Sequence, residues 1–172
     1  MWAFKRNIPN AITSIRLTAL PFLICSFNLE LTFVVYALFL FSIGTDFLDG
    51  YIARKTQSTS KFGSHLDTAV DFLFITGMYG VFITKGMFQP WILLLITLVF
   101  AQFILTNFYA KQTIYDPIGK YYGSLLFGGI GLTLLFPLQI IYTIVTVGIV
   151  FSTAAALLSR LVYFYAKKQK HN

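Results

Sequence analysis

Apolar residues fill six long runs of the chain, and a short polar break separates each run from the next. The runs span roughly residues 11–28, 31–54, 62–84, 88–110, 121–137 and 140–166. About 20 consecutive apolar residues are enough to cross a bilayer as a helix. No alternation of apolar and polar residues indicates strands, and backbone groups in lipid must be hydrogen-bonded internally. The pattern therefore predicts an all-α integral membrane protein with six transmembrane helices.

The composition agrees with this interpretation. The chain is 57% hydrophobic and 11% charged, whereas a soluble domain has about a quarter of its residues charged. No linker or low-complexity tract divides it, so we expect a single membrane domain over 1–172. Residues 1–10 carry Trp2, Phe4 and two basic side chains, which indicates a short interfacial segment ahead of the first span.

The basic residues predict the orientation. With six spans both termini face the same side, and 12 of the 13 basic residues fall there, leaving Lys85 alone on the other side. Basic residues accumulate on the cytoplasmic side, so both termini are expected in the cytoplasm and the protein in the cytoplasmic membrane. The net charge of +7 is then a matter of topology and of contact with anionic membrane lipids. The scattered positions form no continuous basic face, so no nucleic-acid partner is predicted.

Acidic residues concentrate in one short window. Four of the six acidic side chains lie within residues 46–71, and they are Asp46, Asp49, Asp67 and Asp71. Spacings of three and four place each pair on one face of a helix. A short polar loop joins the two helices, which predicts antiparallel neighbours whose carboxylates converge near the cytoplasmic end. An acidic residue at the centre of a membrane helix costs about 2.5–3.5 kcal/mol on insertion scales, so these residues are not expected to face lipid.

The same window indicates a divalent metal. Clustered carboxylates repel one another unless a cation joins them, and their oxygens suit Mg²⁺ or Mn²⁺, often together with substrate phosphates. His65 lies off the face of Asp67 and Asp71 and is not expected to be a ligand. Small residues on the acidic faces serve either close helix packing or a slot for a bound group. Arg54 either pairs with a phosphate or anchors the membrane boundary.

Eight residues of the window together resemble the signature of a known family. They fit D-x2-D-G-x2-A-R-x8-G-x3-D-x3-D, which is similar to the motif of the CDP-alcohol phosphotransferases, the six-helix membrane enzymes of phospholipid synthesis. The resemblance implies that an alcohol displaces CMP from a CDP-linked lipid, either CDP-diacylglycerol or an ether-lipid analogue. The matching residues are Asp46, Asp49, Gly50, Ala53, Arg54, Gly63, Asp67 and Asp71.

The resemblance also implies a role for each residue of the motif. Asp46, Asp49 and Asp67 are expected to hold two divalent ions, with Asp71 in or near that site. Asp71 is also the expected general base. The cytidine and its phosphates are expected to lie against Gly50, Ala53 and Gly63, with Arg54 on the diphosphate. The active site is expected to face the cytoplasm, and the protein is expected to form a homodimer.

The acceptor alcohol is less well indicated. The stretch from Asn7 to Arg16 resembles the start of phosphatidylglycerophosphate synthases, whose acceptor is glycerol 3-phosphate. Two features depart from that subfamily: Thr68 and Phe72 follow the last two aspartates where Pro and Lys are common, and Gly119-Lys120 lacks the usual second Lys-Thr. Serine, inositol and inositol phosphate therefore stay open. Candidate ligands for an acceptor phosphate, each otherwise an ordinary positive-inside residue, are Lys111, Lys120 and Arg160.

Three other classes of protein fit the sequence less well. An ion or proton transporter accounts for the buried acids but not for the glycine, alanine and arginine spacing, and it predicts transport without CMP release. A prenyltransferase also uses Asp-rich helices and Mg²⁺, but with a different Asp spacing. A non-catalytic relative is disfavoured because all eight signature residues are present.

Overall fold

The computed structural model is built of six α-helices. It describes the backbone of residues 2–56, 61–110 and 117–169, and the side chains of 15–45, 68–107, 118–119 and 121–164. In this part of the chain there is no strand, and the all-helical prediction is confirmed. The helices are α1 Trp2–Asn28, α2 Thr32–Thr56, α3 Lys61–Thr84, α4 Trp91–Ala110, α5 Pro117–Leu135 and α6 Gln139–Gln169.

The helix bounds fall within four residues of the apolar runs except at the start of α1. The predicted interfacial segment 1–10 and the apolar run 11–28 belong to one continuous helix, because α1 begins at Trp2 and continues through Pro9. A proline inside a helix costs one backbone hydrogen bond, and here the helix nevertheless continues through it. The placement of residues 1–10 at the membrane surface stays a prediction.

Two of the short connections end their helices with the same cap. After α3, Gly86 has a φ of 74°, and the Met87 N–H donates to the carbonyl of Phe82 at 2.9 Å. After α1, Glu30 has a φ of 59°, and the Leu31 N–H donates to the carbonyl of Ser26 at 3.0 Å. Both are Schellman caps, which satisfy the last carbonyls and reverse the chain within a few residues.

One helix meets a strict test for a membrane span by length and composition. Among the described side chains, Gln139–Phe164 forms an apolar stretch of 26 residues with a mean hydropathy of 2.1. The other apolar stretches of the described part contain 10–17 residues. The helices that carry them are longer, from 19 residues in α5 to 27 in α1.

The chain divides into two compact units, Met1–Met78 and Tyr79–Asn172, and the division falls within α3. In the first unit α1 packs on α2. The core of this unit includes Leu23 of α1, Val35 and Phe39 of α2, and Phe74 and Met78 of α3.

In the second unit α6 packs against both α4 and α5. Its helix directions follow from pairs of contacts. The amide of Gln102 donates to the carbonyl of Leu157, and four residues further along α4 the side chain of Thr106 meets Arg160. Both sets of residue numbers rise together, so α4 and α6 run parallel.

Aromatic rings pack together near the start of α6, away from Arg160. Tyr79 lies edge-on to Phe88 with ring centroids 5.5 Å apart, and Phe88 in turn meets Tyr142 near the start of α6 at 5.6 Å. At the middle of α6 the Tyr122 and Thr153 hydroxyls lie 2.9 Å apart. In the second unit, therefore, aromatic packing joins the helices near the start of α6, and hydrogen bonds join them from the middle of α6 onward.

The described side chains show two features that are unusual for a soluble protein, namely buried arginines and extensive exposed apolar surface. Two arginines are among the buried residues, Arg16 at 0% and Arg160 at 4% exposure, while Phe33 is 84% and Phe151 is 73% exposed. A soluble protein keeps arginine outside unless it is paired, and it avoids extensive exposed apolar surface. Helices with apolar outer faces and polar inner contacts suit a lipid environment.

Candidate active site

A buried arginine of α1 meets the last aspartate of the acidic window on α3. The Nη1 atom of Arg16 donates to Oδ1 of Asp71 in a direct ion pair. The side chain of Arg16 is 0% exposed and that of Asp71 is 32% exposed. The pair therefore joins a fully enclosed cation to a carboxylate that is still accessible on one side.

A second contact between α1 and α3 lies beside this pair. A Cβ atom placed on Gly77 of α3 would lie 3.1 Å from Cδ2 of Leu20 on α1, so the absence of a side chain at Gly77 allows α1 to approach. Leu20 follows Arg16 by one helical turn, and Gly77 follows Asp71 by six residues. Both numbers rise together along the two helices, so α1 and α3 run parallel.

Two buried hydroxyl side chains precede the first two aspartates of the motif on α2. Ser42 is 0% exposed and Thr45 is 8% exposed. The Ser42 hydroxyl donates to the carbonyl of Leu38 at 2.9 Å, and that of Thr45 donates to the carbonyl of Ser42 at 2.8 Å. Asp46 and Asp49 follow Ser42 by four and seven residues on the same helix, so the inner face of α2 is polar before the motif begins.

The backbone of the motif is helical as predicted. The first two aspartates lie on α2 and the last two on α3, so the spacings of three and four are helical spacings. Of the four carboxylates, only that of Asp71 is among the described side chains, and those side chains contain no group of three potential metal ligands. The following predicted site residues have side chains outside the described residues: Asp46, Asp49, Gly50, Ala53, Arg54, Gly63 and Asp67.

The candidate acceptor residues are described only in part. Lys111 and the side chain of Lys120 lie outside the described residues, whereas Arg160 lies in a well-defined network on the second unit. Its Nε donates to the Thr106 hydroxyl at 2.8 Å and its Nη2 to Oδ1 of Asn107 at 2.6 Å. Its guanidinium carbon also lies 4.7 Å from the ring centre of Phe103. Arg160 therefore ties the C-terminal end of α6 to α4, and its role toward an acceptor stays a prediction.

Comparison with known proteins decides the family. The sequence profile of CDP-alcohol phosphatidyltransferase matches residues 6–165, which is nearly the whole chain. The chain belongs to the CDP-alcohol phosphatidyltransferase family. Members of this family are membrane-associated and in general depend on a divalent metal.

Several curated members of the CDP-alcohol phosphatidyltransferase family are similar to part of this chain. Each is named CDP-diacylglycerol–glycerol-3-phosphate 3-phosphatidyltransferase. The protein of Haemophilus influenzae is 39% identical over 70 residues, which cover 39% of this chain and 38% of the relative. That of Pseudomonas fluorescens is 39% identical over 72 residues, covering 40% and 37%. That of Yersinia enterocolitica is 35% identical over 68 residues, covering 38% and 37%. The chain thus matches well under half the length of these relatives.

The structure adds Arg16 to the candidate site of this CDP-alcohol phosphatidyltransferase family member. The sequence interpretation counted Arg16 among the positive-inside residues and noted it in the N-terminal resemblance, but did not pair it with Asp71. Of the 12 basic residues assigned to the cytoplasmic side, only Arg16 and Arg160 have described side chains. Both are buried, so they are poor markers of the membrane boundary. A signal was available, since Arg16 is the sole charged residue between residues 7 and 29.

Proposed function

We propose that this protein transfers a phosphatidyl-type group from a CDP-linked lipid to an alcohol and releases CMP. The observation that carries the proposal is the pairing of Asp71, the last aspartate of the motif, with a buried arginine. Arg16 fixes the orientation of the carboxylate, and the 32% exposure of Asp71 leaves it within reach of a bound alcohol, whose proton it is proposed to take. The profile match over residues 6–165 supports the same reaction class.

The proposed reaction balances without any further reactant. The acceptor hydroxyl gives its proton to Asp71, and its oxygen forms a bond to the lipid-side phosphorus of the diphosphate. The bond between that phosphorus and the bridging oxygen breaks, and CMP leaves with the electron pair. The protein's own contribution is to bring the hydroxyl, the carboxylate and the phosphorus into line, which lowers the entropic part of the barrier.

The aspartates of the motif fit a divalent metal by their chemistry. In the proposal Asp46, Asp49 and Asp67 hold two ions, Mg²⁺ or Mn²⁺, because carboxylate oxygens are the ligands that these hard cations prefer. When bound, such ions neutralise charge on the diphosphate oxygens. One oxygen of Asp71 is already engaged by Arg16, which favours a place for Asp71 at the edge of the metal site.

The residues between the aspartates are proposed to receive the CDP-lipid. Gly50 and Ala53 on α2 and Gly63 on α3 leave room for the cytidine and its phosphates beside the helix backbone. Arg54 is proposed to contact the diphosphate, since a guanidinium can bind two phosphate oxygens at once. The donor is either CDP-diacylglycerol or an ether-linked analogue.

Glycerol 3-phosphate is the proposed acceptor. The named relatives from Haemophilus influenzae and Pseudomonas fluorescens carry this acceptor in their names, and the stretch from Asn7 to Arg16 supports the same choice. Its phosphate is proposed to meet Lys111, Lys120 or Arg160. Serine, inositol and inositol phosphate are the alternatives.

The proposed setting is a cytoplasmic membrane crossed six times, with both termini and the active site on the cytoplasmic side. Each helix contains at least 19 residues, or about 28 Å at 1.5 Å per residue, which is close to the thickness of the hydrocarbon core. The parallel pairs α1 with α3 and α4 with α6 support an alternating path. A homodimer is part of the proposal and rests on the family resemblance.

The test is CMP release by the purified full-length protein. It would be assayed in detergent or lipid with CDP-diacylglycerol, Mg²⁺ or Mn²⁺, and each acceptor separately, with a metal chelator as control. Release that needs both metal and one particular acceptor is expected. No release despite bound CDP-lipid would point to an untested alcohol or an ether-linked donor. Failure to bind CDP-lipid at all would favour an acidic-cluster transporter.

Two variants separate the proposed roles of the aspartates. Asp71→Asn is expected to abolish turnover while CDP-lipid still binds, because it removes the group that accepts the proton and leaves the CDP-lipid site intact. Asp49→Asn is expected to weaken metal and CDP-lipid binding together. Near-normal turnover of Asp71→Asn would rule out the general-base assignment.

A further inference from the structure

We infer that Arg16 is a positioning residue for the reaction, acting through Asp71 rather than on the substrates. This inference rests on the proposed function. It starts from the asymmetry of the ion pair: the guanidinium is wholly enclosed, while the carboxylate is 32% exposed. The cation is thus on the protein side of Asp71, and the accessible part of the carboxylate is what a substrate can reach.

Stability alone is a weak explanation for this pair. Enclosing an arginine among helices is costly, and replacing a buried ion pair by apolar residues of similar volume is often neutral or stabilising. What the pair does supply is orientation. The guanidinium is a planar group with donors in a fixed arrangement, so a carboxylate bound to it loses rotational freedom.

Next to Arg16, helix α1 lies in contact with α3. One turn beyond Arg16, Leu20 lies against Gly77 of α3, where a Cβ atom would come within 3.1 Å. On the same face of α1, Ala19 and Leu23 are 7% and 0% exposed. Arg16 therefore reaches Asp71 from the buried face of α1. Misplacement of a reacting group by about 1 Å can cost on the order of 10²-fold in rate, which makes such an anchor consequential.

The chain also offers a matched control. Ser26 lies ten residues after Arg16 on α1, is buried at 8% exposure, and has no place in the proposed site. Ser26→Ala therefore alters a buried polar side chain of the same helix without touching Asp71. It is expected to turn over at close to the wild-type rate.

The experiment compares kcat and both KM values for wild type, Arg16→Gln, Arg16→Lys and Ser26→Ala, with CDP-lipid binding measured separately by protection against heat. Arg16→Gln is expected to lower kcat by about 10²-fold and to leave the KM for CDP-lipid and its binding nearly unchanged. Arg16→Lys keeps the charge but not the planar group, and its kcat should lie between those of Arg16→Gln and wild type. A residue that merely stabilised the fold would not produce this split.

The outcomes that overturn the inference are distinct from failure of the proposed function. If wild type turns over and folded Arg16→Gln does so at a similar rate, Arg16 has no positioning role. The same follows if CDP-lipid binding falls as much as kcat. If Arg16→Gln does not fold, Arg16→Lys decides: reduced kcat with unchanged lipid binding supports the inference, and unchanged kcat overturns it. If wild type releases no CMP with any acceptor, the proposed function itself fails and this inference fails with it.

Discussion

The contact between Gly129 of α5 and Tyr79 of α3 allows a quantitative test of the packing. A Cβ atom on Gly129 would lie 2.5 Å from the Tyr79 hydroxyl oxygen and 3.1 Å from Cγ1 of Val145. Carbon and oxygen atoms do not approach to 2.5 Å without displacement of one of them. Gly129→Ala should therefore force Tyr79 to move.

Tyr79 has little room to move. It is 0% exposed. Its ring lies against Phe82, with the ring centroids 6.1 Å apart, and against Phe88, with the centroids 5.5 Å apart. Its hydroxyl also donates to the carbonyl of Leu126 at 3.3 Å. Adding a methyl group to a packed core of this kind typically costs about 1–3 kcal/mol.

The neighbouring glycine supplies the control. Gly128 is exposed, and a Cβ atom there would meet nothing within 4 Å. Replacement of either glycine by alanine gains helix propensity, about 0.8–1.0 kcal/mol in a soluble helix, so this gain cancels when the two variants are compared. Gly129→Ala should be less stable than Gly128→Ala by about 1–3 kcal/mol, which corresponds to about 2–12 °C in melting temperature for a chain of this size.

A double-mutant cycle tests the cause. Tyr79→Phe removes the oxygen at 2.5 Å, and the next atom of the ring, Cζ, lies 3.9 Å away, which is an ordinary contact. Tyr79→Phe alone should cost about 0.5–1.5 kcal/mol for the lost hydrogen bond. In that background Gly129→Ala should cost at least about 1 kcal/mol less than in wild type.

The assay is the apparent melting temperature of the purified variants in one detergent at one heating rate, read by fluorescence-detected size exclusion. The fixed rate matters because unfolding of such proteins is often irreversible. Equal stability of Gly129→Ala and Gly128→Ala would refute the packing of Tyr79 against α5. Equal cost of Gly129→Ala with and without the Tyr79 hydroxyl would refute the assigned clash.

Two further predictions concern the acceptor and the topology. Arg160→Ala is expected to raise the KM for the acceptor more than the KM for CDP-lipid. The control Gln102→Ala removes only a neutral hydrogen bond between α4 and α6 and should leave the ratio of the two KM values unchanged. Equal changes in the two KM values of Arg160→Ala would make Arg160 a purely structural residue. In a Cys25→Ser background, Lys85→Cys should react with a membrane-impermeant maleimide added to intact cells, whereas Gln169→Cys should react only after permeabilisation. Labelling of Lys85→Cys only in permeabilised cells would contradict the proposed orientation.

Most of the helical layout could be predicted from the sequence because helix formation in an apolar environment is a local matter. A run of apolar residues with no internal break forms hydrogen bonds within itself, whatever its neighbours do. The ends of α1 and α3 fall at residues 28 and 84, as the polar breaks indicate. The start of α1 at Trp2 was not predicted, because the apolar run begins near residue 11 and the more polar residues 1–10 were assigned to a separate segment.

The acidic motif could also be predicted from the sequence, because the spacings within each pair of aspartates are short and lie within single helices. The helical backbone of α2 and α3 carries Asp46 with Asp49, and Asp67 with Asp71, at those spacings. Local periodicity is enough to place such pairs on one face. It does not identify their partners on other helices.

The partners of the buried charges were decided by the tertiary structure. Arg16 and Asp71 are 55 residues apart in the chain, and Arg160 and Thr106 are 54 apart. The distribution of basic residues along the sequence predicts that both arginines lie at the membrane boundary. A sequence pattern shows how many charges a segment carries, but it does not show which side chains those charges contact. Burial of a cation requires acceptors brought in by another helix, and which helix does so depends on packing details such as Leu20 against Gly77. The sequence alone therefore determined the helices and the acidic motif, while the packing of α1 on α3 determined that Asp71 is held by Arg16.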